Sequence, residues 1–229
     1  MLAILSLAFL AFILGIKHSY DADHLLAVST FLKKSPTIKN STRLSISWAV
    51  GHMLTATIIT ILLFIFRESI LNTILSHFEK IVGIMLILLG LWSLKGLFGF
   101  HSHKHSHDGI THRHPHLHFI KNIKETNSEE HKTDHSHKHM FGIGMIHGLA
   151  SNDELLILFT ASLGVTSLGG IIVGIGIFSI GVVLGMILFS MIFTYPLLKA
   201  KSKLIHLFIT WLVGSGSLIY GVMSLVGVV

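Results

Sequence analysis

The 229-residue chain contains no cysteine, and Asp, Glu, Lys and Arg together make up only 12% of it. Without cysteine there are no structural disulfides and no thiolate metal ligands, so any metal must be held by nitrogen and oxygen. With hydrophobic residues at 51% and a mean hydropathy of +0.73, so low a charge density excludes an ordinary soluble domain. There is no Gly-x-x-x-x-Gly-Lys-Ser/Thr loop, so the chain does not hydrolyse ATP by that route. His-Glu-x-x-His is also missing, which weakens the case for a membrane metalloenzyme that activates water on a bound metal.

The sequence does have long apolar runs, roughly Met1–Ile16, Leu44–Phe66, Ile81–Leu97, Met140–Leu163, Leu168–Leu198 and Leu204–Val229. Several reach the ~20 residues a helix needs to cross a ~30 Å hydrocarbon core. The first continues through mixed sequence to Leu32, and it has no basic n-region of the kind a cleaved signal peptide carries. The expected fold is therefore an all-α integral membrane protein with about six transmembrane helices.

Lys and Arg number 17 against 11 Asp and Glu, an excess that in a soluble protein would point to nucleic acid. Its distribution points to topology instead. Fourteen of the 17 fall in three connections, represented by Lys33 to Arg43, Lys95 to Lys138 and Lys199 to Lys203. The positive-inside rule makes these connections cytoplasmic and puts both termini outside, in a multi-pass protein of the cell membrane.

The chain also repeats itself. Gly83, Gly90 and Gly96 recur as Gly214, Gly221 and Gly227, each displaced by 131 positions, and Gly15 and His18 recur as Gly144 and His147, displaced by 129. The second segments match loosely, Ser47 and Gly51 being answered by Ser179 and Gly181. A division follows into a three-helix repeat over 1–98, a histidine-rich connection over 99–139 and a second three-helix repeat over 140–229. Three is an odd number of spans, so the second repeat enters the membrane inverted, and inverted repeats place a substrate site near the midplane where they meet.

Ionisable groups inside a bilayer cost about 2.5 to 3.5 kcal/mol each on insertion scales and are kept where function or a partner compensates them. The first segment holds His18, Asp21, Asp23 and His24 within seven residues. Imidazole and carboxylate suit nickel, cobalt or zinc. His24 lies nine residues before Lys33 and His52 nine after Arg43. At about 1.5 Å per residue both sit roughly 13 to 14 Å from the inner face, near mid-membrane. At about 100° per residue a straight helix cannot aim all four groups inward. Either Asp23 faces a neighbouring helix or the segment unwinds at the motif.

The run Leu14-Gly15-Ile16-Lys17-His18-Ser19-Tyr20-Asp21-Ala22-Asp23-His24, with its His-x-x-x-x-Asp-His core, resembles the nickel/cobalt transporter family and its urease-associated nickel permease relatives. Gly51-His52 in the next helix fits the same family. The resemblance implies that His18, Asp23 and His24 select and pass the metal, with His52 assisting. The second half is less faithful. Gly148-Leu149-Ala150-Ser151-Asn152-Asp153-Glu154 resembles a degraded form of the family's acidic fourth-helix motif, with Asn152 where an aspartate is expected. His147 either lines the pathway or bonds a facing helix; Asp153 and Glu154 either line it or face water at a helix end. The family's usual extra helices, including one before the histidine motif, are missing.

The stretch from His101 to His139 holds twelve of the 18 histidines. Such a low-complexity tract cannot build a core, is expected to be largely disordered, and can bind metal weakly as a cytoplasmic buffer or relay. These features predict a secondary permease rather than an enzyme, with no cofactor, carrying Ni2+ or Co2+ inward and releasing it as the repeats rock. A metallochaperone or nickel-enzyme maturation protein is the expected cytoplasmic partner. The rival readings are an efflux permease, an accessory protein handing nickel to an enzyme such as urease, and the metalloenzyme set aside above.

Overall fold

The computed structural model describes the whole chain except residues 1, 36, 67–70, 96, 98, 108–109, 119–132, 151–166, 201 and 229. The described residues form seven helices: α1 Leu2–Ser19, α2 Ala22–Leu32, α3 Ile38–Phe66, α4 Leu71–Lys95, α5 Thr133–His147, α6 Leu168–Lys199 and α7 Lys203–Leu225. A hairpin of β1 Gly99–His107 and β2 Ile110–His118 lies between α4 and α5.

Four helices, α3, α4, α6 and α7, carry stretches long and apolar enough to cross a membrane. The segment expected to run from Met1 to Leu32 is instead two short helices, α1 and α2, broken at Tyr20 and Asp21. The expected fourth span is described only as far as His147 and the short turn to Ala150; Asn152, Asp153 and Glu154 lie outside the described residues. The outer faces are greasy, with Phe9, Leu88, Ile192, Leu204 and Phe208 each more than half exposed, as lipid-facing positions are.

The histidine-rich tract was expected to be largely disordered, and part of it pairs. β1 and β2 are antiparallel, with His101 opposite His116, His103 opposite His114 and His105 opposite His112. Alternation of histidine with other residues has the period of two that a strand needs.

Helix packing is dominated by four pairs, α1 with α6, α3 with α5, α4 with α7 and α3 with α6, while α2 touches α3, α4, α6 and α7 more sparingly. Small residues set the close approaches, as membrane helices require when lipid offers no hydrophobic drive for association. At Gly144 of α5 an added Cβ would run into the Trp48 carbonyl of α3, and at Gly15 of α1 into the Phe178 carbonyl of α6. The core around these crossings contains Ala11, Val28, Trp48, Phe178, Val182 and Met186, all buried. The C-terminal end of α2 is tied to α4 by Lys33, which donates to the Ser93 hydroxyl, and by Lys34, whose ammonium lies 4.0 Å from the Trp92 ring centre.

These contacts predict opposite outcomes for two glycines on one helix. Gly144→Ala should destabilise the folded protein by about 1 to 3 kcal/mol, the range for overpacking a tight core. Gly142, with nothing within 4 Å of a built Cβ, should tolerate alanine or gain about 0.5 to 1 kcal/mol. Thermal melting of the two variants in detergent separates them.

Candidate metal site

The break between α1 and α2 builds the site. The amides of Tyr20 and Asp21 bond back to the carbonyls of Lys17 and His18, both at 3.0 Å, and Asp21 then takes an extended conformation, φ −63 and ψ 144, before α2 begins. Asp21 occupies the N-cap position of α2 but makes no side-chain cap bond. Its carboxylate instead sits 2.9 Å from His18 Nδ1 and 3.4 Å from Lys17 Nζ. The reorientation at Asp21 lets His18 on α1 and His24 on α2 point at one spot.

At that spot three imidazoles converge. His18 Nε2 lies 3.2 Å from His24 Nε2 and 3.4 Å from His52 Nε2, and the three residues are 5%, 1% and 0% exposed. Two ligands at about 2.1 Å from one metal stand about 3.0 Å apart at an octahedral right angle and about 3.4 Å apart at a tetrahedral one. The observed separations fall in that interval. A carboxylate can only accept, so the ring protons of His18 and His24 lie on Nδ1, facing Asp21 and Asp23 Oδ1 at 2.9 and 2.8 Å. Each Nε2 then presents a lone pair, and lone pairs 3.2 Å apart repel unless a cation, a proton or a metal ion, lies between them.

Asp23 reaches in two directions. Oδ1 accepts from the His24 backbone amide at 2.9 Å and its ring Nδ1 at 2.8 Å, while Oδ2 lies 2.8 Å from His147 Nε2 on α5. His147 is fully buried. Of the two alternatives for Asp23, a neighbouring helix or an unwound segment, the structure combines both.

His18, His24, His52, Asp23 and His147 are therefore brought together, whereas Asp21 stands behind His18, away from the point of convergence. Carboxylate behind imidazole is the arrangement that fixes ring orientation and tautomer in many metal sites. Reading the sequence did not single out Trp48. It stacks on His52 at 4.9 Å with 12° between planes and touches His24 and His147 edge-on at 5.1 and 5.3 Å. The signal was available, since Trp48 precedes His52 by one helical turn and so shares its face. The buried Trp48 Nε1, His52 Nδ1 and His147 Nδ1 have no hydrogen-bond partner among the described residues.

The model of the NicO family, described as high-affinity nickel-transport protein, matches residues 4–213. The chain belongs to this nickel-transport family. It is accordingly a multi-pass membrane carrier of Ni2+ and not an enzyme. It is similar to urease accessory protein UreH of Bacillus sp. (strain TB-90), with 30% identity over 220 residues, 96% of this chain and 90% of the relative. No solved structure matches.

If the carboxylates position the rings, neutralising them should weaken nickel binding by about 10- to 100-fold without removing any Nε2 ligand. Asp23→Asn should cost more than Asp21→Asn, because Asp23 serves both His24 and His147. Nickel quenching of Trp48 fluorescence, with Trp92 and Trp211 changed to Phe, reads the affinity; equal titration curves for both variants and the parent would contradict the assignment.

Proposed function

We propose that this carrier takes up Ni2+, with Co2+ as a second substrate, through a mid-membrane station formed by the Nε2 atoms of His18, His24 and His52. The observation that carries this reading is the convergence of three imidazole Nε2 atoms inside a buried, apolar bundle of a nickel-transport family member. Borderline nitrogen donors favour nickel and cobalt over magnesium or calcium, which seek oxygen. Neutral rings also leave the ion its own charge, which lets the membrane potential act on it. For a dication that potential supplies about 4.6 kcal/mol per 100 mV, enough for roughly 10³-fold accumulation without ATP.

The proposed architecture is two inverted halves, 1–98 and 140–229, six spans in all, with termini outside and the histidine-rich connection at 99–139 cytoplasmic. Reciprocal helix contacts support it. Displacing α1 residues by 129, α3 residues by 130 and α4 residues by 131 turns each glycine contact into another one observed. Gly15 against Phe178 becomes Gly144 against Trp48, Gly181 against Phe12 becomes Gly51 against Phe141, and Gly83 against Gly221 becomes Gly214 against Gly90. Two objects related by a two-fold axis meet in this way, each surface answering its own copy.

All four of the major helix pairs, α1 with α6, α3 with α5, α4 with α7 and α3 with α6, take one member from each half, so rigid rocking of half against half would pull apart the tightest contacts in the molecule. Movement of α2, the shortest described helix and the one that carries Asp23 and His24, opens the station at smaller cost. On the cytoplasmic side the hairpin histidines receive the ion before a metallochaperone or nickel-enzyme maturation protein does. The name of the UreH relative, a urease accessory protein, fits delivery of nickel to such an enzyme.

In proteoliposomes with an inside-negative potential, uptake of radioactive nickel should fall at least tenfold for His18→Ala, His24→Ala or His52→Ala, and unlabelled cobalt should compete where magnesium does not. Uptake at the parent rate in all three variants would remove the station from the path.

A further inference from the structure

The station described above uses one side of the His24 ring. The other side is also built. His24 Nδ1 and His147 Nε2 each lie 2.8 Å from a different oxygen of the Asp23 carboxylate, and the two rings are 4.7 Å apart, centre to centre. Asp23, His24 and His147 thus present one carboxylate and two imidazole nitrogens within 4.8 Å of one another, as do His18, His24 and His52 with three imidazoles. His147 is fully buried, and its remaining nitrogen, Nδ1, has no partner among the described residues. Nothing in the sequence resemblance assigned this group.

Resting on the proposed nickel station, we infer that the ion has a second one, held by the Asp23 carboxylate, His24 Nδ1 and His147 Nε2, and that the two exchange a single ion across the His24 ring. A neutral imidazole has one N–H and one lone pair. At the first station His24 donates Nδ1–H to Asp23 and offers its Nε2 lone pair to the metal. At the second, the metal replaces that proton at Nδ1 and the His24 ring carries its proton on Nε2, facing His18, while His147, whose Nε2–H faces Asp23 when the site is empty, carries its proton on Nδ1 instead. One ring cannot hold both tautomers, so filling one station empties the other.

The two stations differ in what holds them. Among the described residues the first draws on α1, α2 and α3, whereas the second joins α2 to α5, the helix that leads back to the histidine-rich connection. The second station carries a carboxylate whose charge offsets part of the ion's own, while the described members of the first are three imidazoles. Passage from first to second therefore moves the ion off neutral donors and towards the helix that starts in the cytoplasmic histidine tract. His139, eight residues before His147, lies about 12 Å away along α5 at the helical rise.

Trp48 touches His24, His52 and His147, so its fluorescence reports nickel at either station and not at the distant loop histidines. The full chain is used with Trp92→Phe and Trp211→Phe and with the ten histidines from His101 to His135 changed to Asn. Equilibrium dialysis of this parent should give one tightly bound nickel with Trp48 quenched; two would overturn the exclusion. His18→Ala/His52→Ala should still quench, with apparent affinity 10- to 100-fold weaker, and adding His147→Ala should abolish quenching. Loss of all quenching in the double variant, or quenching that survives the triple one, overturns the second station while leaving the first intact. A parent that binds no nickel at Trp48 overturns the first station itself. Where circular dichroism shows an alanine variant misfolded, the glutamine variants His18→Gln/His52→Gln take its place with the same expectations.

Discussion

A neutral imidazole buried in a membrane has one donor and one acceptor to satisfy, and water is not there to satisfy them. In this protein the donors of His18 and His24 go to Asp21 and Asp23, leaving acceptors that face each other at 3.2 Å with His52 beside them. Neither ring relieves the other. A cation at the centre does, and much else in the molecule serves to keep that centre in place: the break at Tyr20 and Asp21, the carboxylates behind the rings, and the Trp48 wall. Nitrogen donors at metal-ligand spacing, with no cysteine anywhere, match the nickel chemistry of the family to which the chain belongs.

The surrounding helices make this centre rigid by close backbone approach. Gly15, Gly51, Gly144 and Gly181 let α1 and α6, and α3 and α5, touch backbone to backbone next to the histidines. Gly148, just past the end of α5, lies against the carbonyl of His52, so a Cβ there would displace that residue. α2 is the exception. It is eleven residues long, is held at its C-terminal end by Lys33 and Lys34 on α4, and carries Asp23 and His24 at its other end. An element anchored at one end and loaded at the other is suited to local movement inside a stiff frame.

Much of this was legible in the sequence because its signals are local and costly. The His18, Asp23, His24 spacing and the depth of His52 could be read from helical rise and from the price of burying charge. The echo of Gly15 and His18 in Gly144 and His147 pointed to the one second-half histidine that reaches the centre. The roles of the carboxylates were not legible, since whether Asp21 and Asp23 face a metal or stand behind a ring depends on rotation at the α1–α2 break. Trp48 was missed although its place one helical turn before His52 put it on the same face, because a tryptophan in an apolar run carries no charge to draw attention to that face. The pairing of the histidine tract was missed because composition argued against a core, and the period-two alternation of histidine was read as low complexity rather than as a strand signal. Asp153 and Glu154 lie outside the described residues.

The measurement that bears most directly on the central claim is the position of nickel in the nickel-loaded protein, located by its anomalous scattering. The account predicts metal density bonded to the Nε2 atoms of His18, His24 and His52, or between Asp23, His24 and His147, with the Nδ1 atoms of His18 still on Asp21. Density confined to the histidine-rich connection, with the three facing Nε2 atoms empty and turned apart, would contradict it.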